Sequence, residues 1–169
     1  QKSIFWEVYI FIDDIVGDRF IAALSDKARS GVEVKMVVDA IGSFYLSGAA
    51  EEKLQQAGVE VLRFNRLYPE LSITGWLSRL FHRNHRKVLI VDESTVFLGG
   101  VNIEARFSKW DDVYLKIVGE RAAWPLLRGF AKSYISAGGA RKAVRRLLHP
   151  KLSKELGSIK EKFKYFIHS

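Results

Sequence analysis

The sequence predicts an α/β protein, a mixed β-sheet flanked by helices. Two observations carry this. Up to residue 65, apolar runs alternate with helix-period segments in the order strand, helix, strand, helix, strand, which is the rhythm of layered α/β folds. Past residue 84, two apolar runs flank a short polar turn and read as a hairpin, which adds antiparallel pairing to the same architecture.

The elements follow in order. Ile4 to Ile12 is an apolar run of strand type. Asp13-Asp14 can cap a helix in which Phe20, Ile21, Leu24 and Ala28 recur at helical spacing until Gly31 stops it. Val32 to Asp39 is the second strand, which completes a βαβ unit with a right-handed crossover. Gly42-Ser43 breaks the chain, a helix over about residues 48–57 ends at Gly58, and Val59 to Phe64 is the third strand. From Arg66 to Asn84 the rhythm is interrupted by Pro69 and Gly75. Trp76, Leu77, Leu80 and Phe81 share one side of a short amphipathic helix there, with Arg79 and Arg83 nearby, and such a helix suits a membrane interface or the core. Val88 to Val91 and Val96 to Leu98 form the hairpin across Asp92-Glu93-Ser94-Thr95. Val113 to Val118 is a further strand with Tyr114 and Lys116 on its second face. Pro125 is placed in the first turn of a last helix, whose stripe of Trp124, Leu127, Ala131, Tyr134 and Ile135 ends at Gly138-Gly139.

Composition sets the bounds. A chain of 169 residues, 48% hydrophobic and 27% charged, is long enough for one domain with a real core. The absence of cysteine excludes disulfides and thiolate zinc sites, and the four histidines, at 82, 85, 149 and 168, do not form a ligand cluster, so no metal or other cofactor is implied. Residues 1–138 carry 18 Lys and Arg against 17 Asp and Glu, whereas residues 139–169 carry 9 against 2. The expected division is therefore a domain over 1–138 and a basic connector or tail over 139–169. That tail suits an anionic membrane surface, nucleic acid, or plain solvation. No run of about eighteen apolar residues exists, so no transmembrane segment is expected. The chain opens directly on a strand without an initiator methionine and reads as a piece of a longer protein.

One stretch carries chemistry. His85 and Lys87 stand two apart before an apolar run, Asp92 closes that run, and Gly99-Gly100-Val101-Asn102 follows on the next. In an extended strand His85 and Lys87 point to one face. A neutral imidazole can attack a phosphodiester, while an ammonium and an amide hold the oxygens whose charge grows at phosphorus. Gly99 and Gly100 let backbone approach the phosphate. Each signal alone is weak, since a histidine at a strand end is usually a surface residue and Gly-Gly is usually a turn. Together they form His-x-Lys, four residues, Asp, six residues, Gly-Gly-x-Asn.

That pattern resembles the HKD motif of the phospholipase D superfamily. The form Arg83-Asn84-His85-Arg86-Lys87, with Gly-Gly where many nucleases of the superfamily have Gly-Ser, is most similar to the N-terminal half of bacterial cardiolipin synthases. Tyr9-Ile10-Phe11 with Asp14, Gly31 to Val34, Asp39 with Gly42-Ser43, Trp110-x-Asp112, Gly119 and Phe130 support the resemblance over residues 3–136. It implies a phospholipase D-like half and a metal-independent phosphatidyltransferase that works through a phosphohistidine. His85, Lys87 and Asp92 would be the catalytic motif, and Lys87, Asn102 and Gly100 the phosphate-binding group. Asp112, with Asp111 as its rival, would orient His85. Asp92 is expected to brace the hairpin rather than touch substrate, and Glu93 stands where cardiolipin synthases often have Gly. The implied partners are a phospholipid substrate and a membrane surface, met through Trp76, Leu77, Leu80 and Phe81, with the protein peripheral to a bacterial cytoplasmic membrane. A second HKD half is implied as well, downstream in the chain or in a homodimer, because His149 and His168 are not expected to supply one. Hydrolysis of the same lipid bond, a nuclease acting on nucleic acid, and a fragment inactive alone are the alternatives; Gly-Gly and the apolar loop disfavour the nuclease.

Overall fold

The computed structural model describes residues 2–66 and 83–148. The segment with Trp76, Leu77, Leu80 and Phe81, and the chain beyond Leu148, lie outside the described residues. The strands are β1 (Ser3–Val8), β2 (Glu33–Asp39), β3 (Glu60–Phe64), β4 (Val88–Val91), β5 (Thr95–Gly99) and β6 (Tyr114–Val118). The helices are α1 (Gly17–Arg29), α2 (Gly48–Gln56), α3 (Glu120–Ser136) and the short α4 (Arg145–Leu148). One sheet has the order β3-β2-β1-β4-β5-β6. β1, β2 and β3 pair in parallel, and β4, β5 and β6 continue antiparallel from β1, so the sheet is mixed as expected.

β1 is buried along its whole length, because helices cover both faces of its part of the sheet. Ile4, Trp6 and Val8 face α1 and α2 with Val34, Met36 and Val38. Phe5 and Val37 face α3, which packs against every strand through Leu127, Phe130 and Tyr134. The alternation within an apolar run thus fills two separate cores.

Two local expectations are corrected. Asp14 alone serves the start of α1, its Oδ1 accepting from the amides of Val16 and Gly17 at 2.9 and 3.0 Å, while Asp13 turns away to Ser47. α3 begins at Glu120 behind Gly119, whose φ of 131° no other residue adopts readily. The good helix formers Glu120 to Ala123 extend it N-terminally, so Pro125 sits in its second turn rather than the first. Val144 and Leu147, three residues apart, are fully buried against α3, and Arg146 pairs with Glu33 and with Glu93, the latter at 2.9 Å. The first ten residues of the basic segment therefore belong to the packed domain.

At the sheet edge Leu115 and Val118 of β6 are more than half exposed, as are Trp110 and Val113 just before it. Leu115, opposite Leu98, shares the α3 face of the sheet, and Val118, opposite Thr95, lies on the other face, where α1 and α2 lie over β2 and β3.

Candidate active site

The site forms where β1 and β2 end and β4 begins, and two buried carboxylates build it. Asp39 closes β2 with no exposed surface. Its Oδ1 accepts from the amides of Ile41 and Gly42 at 3.0 and 2.9 Å, and its Oδ2 from the amide of Asn84 at 2.9 Å. The Arg83 guanidinium donates to the same carboxylate from Nη2 at 2.6 Å and from Nε at 3.0 Å. Glu7, 1% exposed and next to last in β1, accepts from Asn84 Nδ2 at 3.1 Å and from Arg86 Nη1 at 3.3 Å. Buried charge is costly unless paired and hydrogen-bonded, and here both carboxylates are satisfied by the segment leading into β4. Residues 83, 84 and 86 are tied inward. His85 is left exposed between them.

The segment is not a strand, since β4 starts at Val88. His85 and Lys87 are brought together by Tyr9 instead. The imidazole stacks on the Tyr9 ring at 3.8 Å between centroids and 20° between planes, and Lys87 Nζ lies 5.1 Å from the same ring centroid. Lys87 Nζ also donates to the His85 carbonyl oxygen at 3.1 Å. Burial lowers the pKa of Lys87 below the usual lysine range, partly opposed by the Asp112 carboxylate.

Asn102 reaches the same place because the chain after β5 runs beside the end of β1. Ile103 N donates to Ile10 O at 2.9 Å and Ile12 N to Ile103 O at 3.0 Å. Asn102 Oδ1 accepts from Ile10 N at 3.3 Å, which turns the amide so that its Nδ2 donors remain for an anion.

The Gly-Gly pair has a steric reason. A Cβ on Gly100 would lie 2.5 and 2.6 Å from the two Asp112 oxygens, and one on Gly99 would lie 2.3 Å from the Val113 carbonyl. Gly100→Ala should therefore push Asp112 and the Asn102 loop outward, with kcat falling roughly 10²-fold, as for a 1 Å misplacement, while circular dichroism stays native. An unchanged kcat would contradict this account.

Asp112 lies against Gly100 and acts on Lys87, but its own hydrogen bond goes from Val113 N to Oδ1 at 2.7 Å. Among the described residues, no hydrogen bond joins it to His85, and Asp111 makes none either. Asp92 is at the other end of β4, about 16 Å from Lys87 at 3.3 Å per residue. Its Oδ1 accepts from the amides of Lys2 and Ser3 at 2.5 and 3.1 Å, so it braces the hairpin and does not line the site. With φ of 52° and 57°, Asp92 and Glu93 are the central pair of a type I′ turn, a position that favours glycine at the second place.

Sequence reasoning missed Tyr9, Glu7 and Asp39 as site builders. A lone charge inside the apolar run of β1 was the available signal for Glu7. It also missed an exposed apolar rim. Ile15, Phe44 and Tyr45 are 71%, 72% and 75% exposed, on two loops joined by Asp13 and Ser47. Ser43 Oγ ties the second loop to the Tyr9 carbonyl at 3.0 Å, so that loop leaves from the residue on which His85 stacks. His149 does have a lysine two residues on, Lys151, but Leu156 occupies the place of the motif's aspartate, and these residues lie outside the described ones. Among the described residues, no group of side chains could hold a metal ion.

A sheet with an HKD histidine and lysine at its end defines the class, and solved structures agree on the fold. Nuc from Salmonella typhimurium, a phospholipase D family member, superposes with a TM-score of 0.59 over 80% of this chain and 79% of its own, at 20% identity. Phosphatidylserine synthase from Haemophilus influenzae Rd KW20 gives 0.57 over 88% and 38%, at 16% identity. The family model described as cardiolipin synthase, PLD-like domain matches residues 1–133, and the chain belongs to that family. A cardiolipin synthase of Geobacillus kaustophilus (strain HTA426) is 36% identical over 165 residues, 93% of this chain and 32% of that protein. One from Clostridium perfringens (strain SM101 / Type A) is 37% identical over 127 residues, 70% of this chain and 25% of that protein. The chain spans a third or less of the length of these relatives.

Proposed function

We propose that the chain is one catalytic half of a phosphatidyltransferase of the cardiolipin synthase type, acting on phospholipid phosphodiesters at the membrane surface. The observation that carries this is the exposed His85 ring held on Tyr9 beside the Lys87 ammonium and the Asn102 amide. In this reading, an imidazole nitrogen of His85 bonds to the phosphorus of phosphatidylglycerol as the bond to the glycerol oxygen breaks. Lys87 and Asn102 Nδ2 hold the non-bridging oxygens, where preorganised donors act on developing charge. A histidine of a second half protonates the leaving glycerol, then takes the proton of an incoming phosphatidylglycerol hydroxyl, which attacks the phosphohistidine and releases cardiolipin. Asp112 assists through the position of Lys87 and the Gly100 loop. The exposed apolar side chains at the β6 edge, Trp110, Val113, Leu115 and Val118, support a second half that covers that edge, either downstream in a longer chain or in a symmetric pair.

The rim of Ile15, Phe44 and Tyr45 supports contact with a bilayer, since aromatic side chains favour the membrane interface. Placing Phe44 and Tyr45 both as Ser is expected to lower turnover on phosphatidylglycerol vesicles about tenfold or more, given the apolar area withdrawn from lipid. Turnover on detergent-dispersed substrate should hold. Equal loss on both substrates would place these residues in the site rather than at the membrane.

The reading is tested by incubating the full-length protein with phosphatidylglycerol vesicles. Cardiolipin with an equimolar release of glycerol is expected. Phosphatidic acid alone would make it a hydrolase, and cleavage of single-stranded DNA without lipid turnover would make it a nuclease.

A further inference from the structure

We propose that the cleft between the Arg83–Lys87 segment and helix α3 is a second anion site, which takes a phosphate monoester or diester group apart from the His85 face. The cleft holds about 460 Å³ and is lined by Arg86, Trp124, Arg128, Gly129, Lys132 and Ser133, a size usual for small-ligand sites. His85 and Arg86 are neighbours in the chain yet serve different places. The imidazole lies on Tyr9, whereas the Arg86 side chain runs to Glu7 and onto α3.

Gly129 makes that placement feasible. A Cβ there would lie 2.6 Å from Arg86 Nη2 and 2.7 Å from Nη1, so the guanidinium rests directly on the helix backbone and a side chain at 129 would displace it. Glycine in a helix interior is unfavourable relative to alanine, and here the bare backbone is matched to a cation. Nη1 donates to Glu7, while Nη2 makes no hydrogen bond among the described residues. Arg128 and Lys132 stand one turn apart on the solvent side of α3, and among the described residues neither has a carboxylate partner. Like charges at this spacing repel. The Arg128 guanidinium lies 5.7 Å from the Trp124 ring centroid, which holds it at the cleft.

Three cations thus face one carboxylate, Glu7, that is buried behind them. A tetrahedral phosphate fits this set, because guanidinium groups give paired donors to its oxygens and the Lys132 ammonium and Ser133 hydroxyl can supply more. A lipid headgroup and a soluble phosphate share this chemistry.

The test reads acetylation of Lys132 in the full-length protein by peptide mass spectrometry, with Lys142 as the internal reference. Inorganic phosphate is compared with chloride at equal ionic strength, and phosphatidylglycerol vesicles with phosphatidylcholine vesicles. Protection of Lys132 by about tenfold is expected at ten times the Kd of the protecting ligand, with Lys142 unaffected. Arg128→Gln should abolish the protection and leave turnover of detergent-dispersed substrate unchanged, and Gly129→Leu should abolish it by displacing Arg86. Protection by phosphate alone marks a soluble ligand, by phosphatidylglycerol vesicles alone a headgroup in the membrane, and by both the shared phosphate chemistry. No protection in either arm, or protection that survives both variants, would overturn the site, whatever the outcome of the phosphatidyl transfer assay.

Discussion

His85→Ala in the full-length protein is expected to lower phosphatidyl transfer by at least about 10⁴-fold, the scale on which loss of a covalent nucleophile is felt. In the proposed mechanism the exposed imidazole stacked on Tyr9 is the nucleophile, and no neighbouring side chain can replace the nitrogen that would bond to phosphorus. Brief incubation with phosphatidylglycerol labelled in the phosphate, followed by an alkaline quench, should trap label on the wild-type chain and none on the variant. Loss of Asn102 should cost less, about 10²- to 10³-fold, as for a single donor to a developing anion. Lys87 adds a pH signature. Because burial lowers its pKa, the ammonium is present at low pH and lost as pH rises, at a lower pH than for an ordinary lysine. The alkaline limb of kcat should fall there, and Lys87→Arg should move it upward, since guanidinium stays charged. A transferring, label-trapping His85→Ala enzyme would remove the histidine from the chemistry altogether.

The second large effect is on the fold beneath the site. Asp39→Ala should destabilise the protein by about 3–5 kcal/mol, the cost of breaking a buried ion pair by removing one partner. Asp39 is fully buried and holds the amides of Ile41, Gly42 and Asn84 as well as the Arg83 guanidinium. Its loss strands several donors at once and loosens the loop that carries His85. Urea denaturation would show a lower midpoint at unchanged slope, and what activity remains should be weaker than the stability loss alone explains. A midpoint within about 1 kcal/mol of wild type would mean that the pair contributes little, as exposed pairs do.

Much of the fold is legible because its signals are local. The Ile4 to Ile12, Val32 to Asp39 and Val88 to Val91 runs and the glycines that end α1 and α2 act within a few residues, and the observed elements start and stop near them. The errors have local reasons too. Pro125 suggested a helix start, but the residues before it are strong helix formers. His85-x-Lys87 suggested strand alternation, but side-chain bonds to Asp39 and Glu7 take the backbone of 83–87 out of the ladder.

What the sequence by itself determined is the motif: a histidine, a lysine and an amide at one spacing, on a strand-helix-strand scaffold that any reader of apolar periodicity recovers. What only the tertiary structure decided is how that motif is held. Asn84 and Arg86 meet Glu7 across 77 and 79 residues of chain, Arg83 meets Asp39 across 44, and Ile10 meets Asn102 across 92. The placement of Tyr9 under His85 and of Asp92 far from it likewise depends on β4 pairing with β1. Such contacts are fixed by strand order and burial, which no local pattern records, so the motif could be read from the chain and its supports only from the fold.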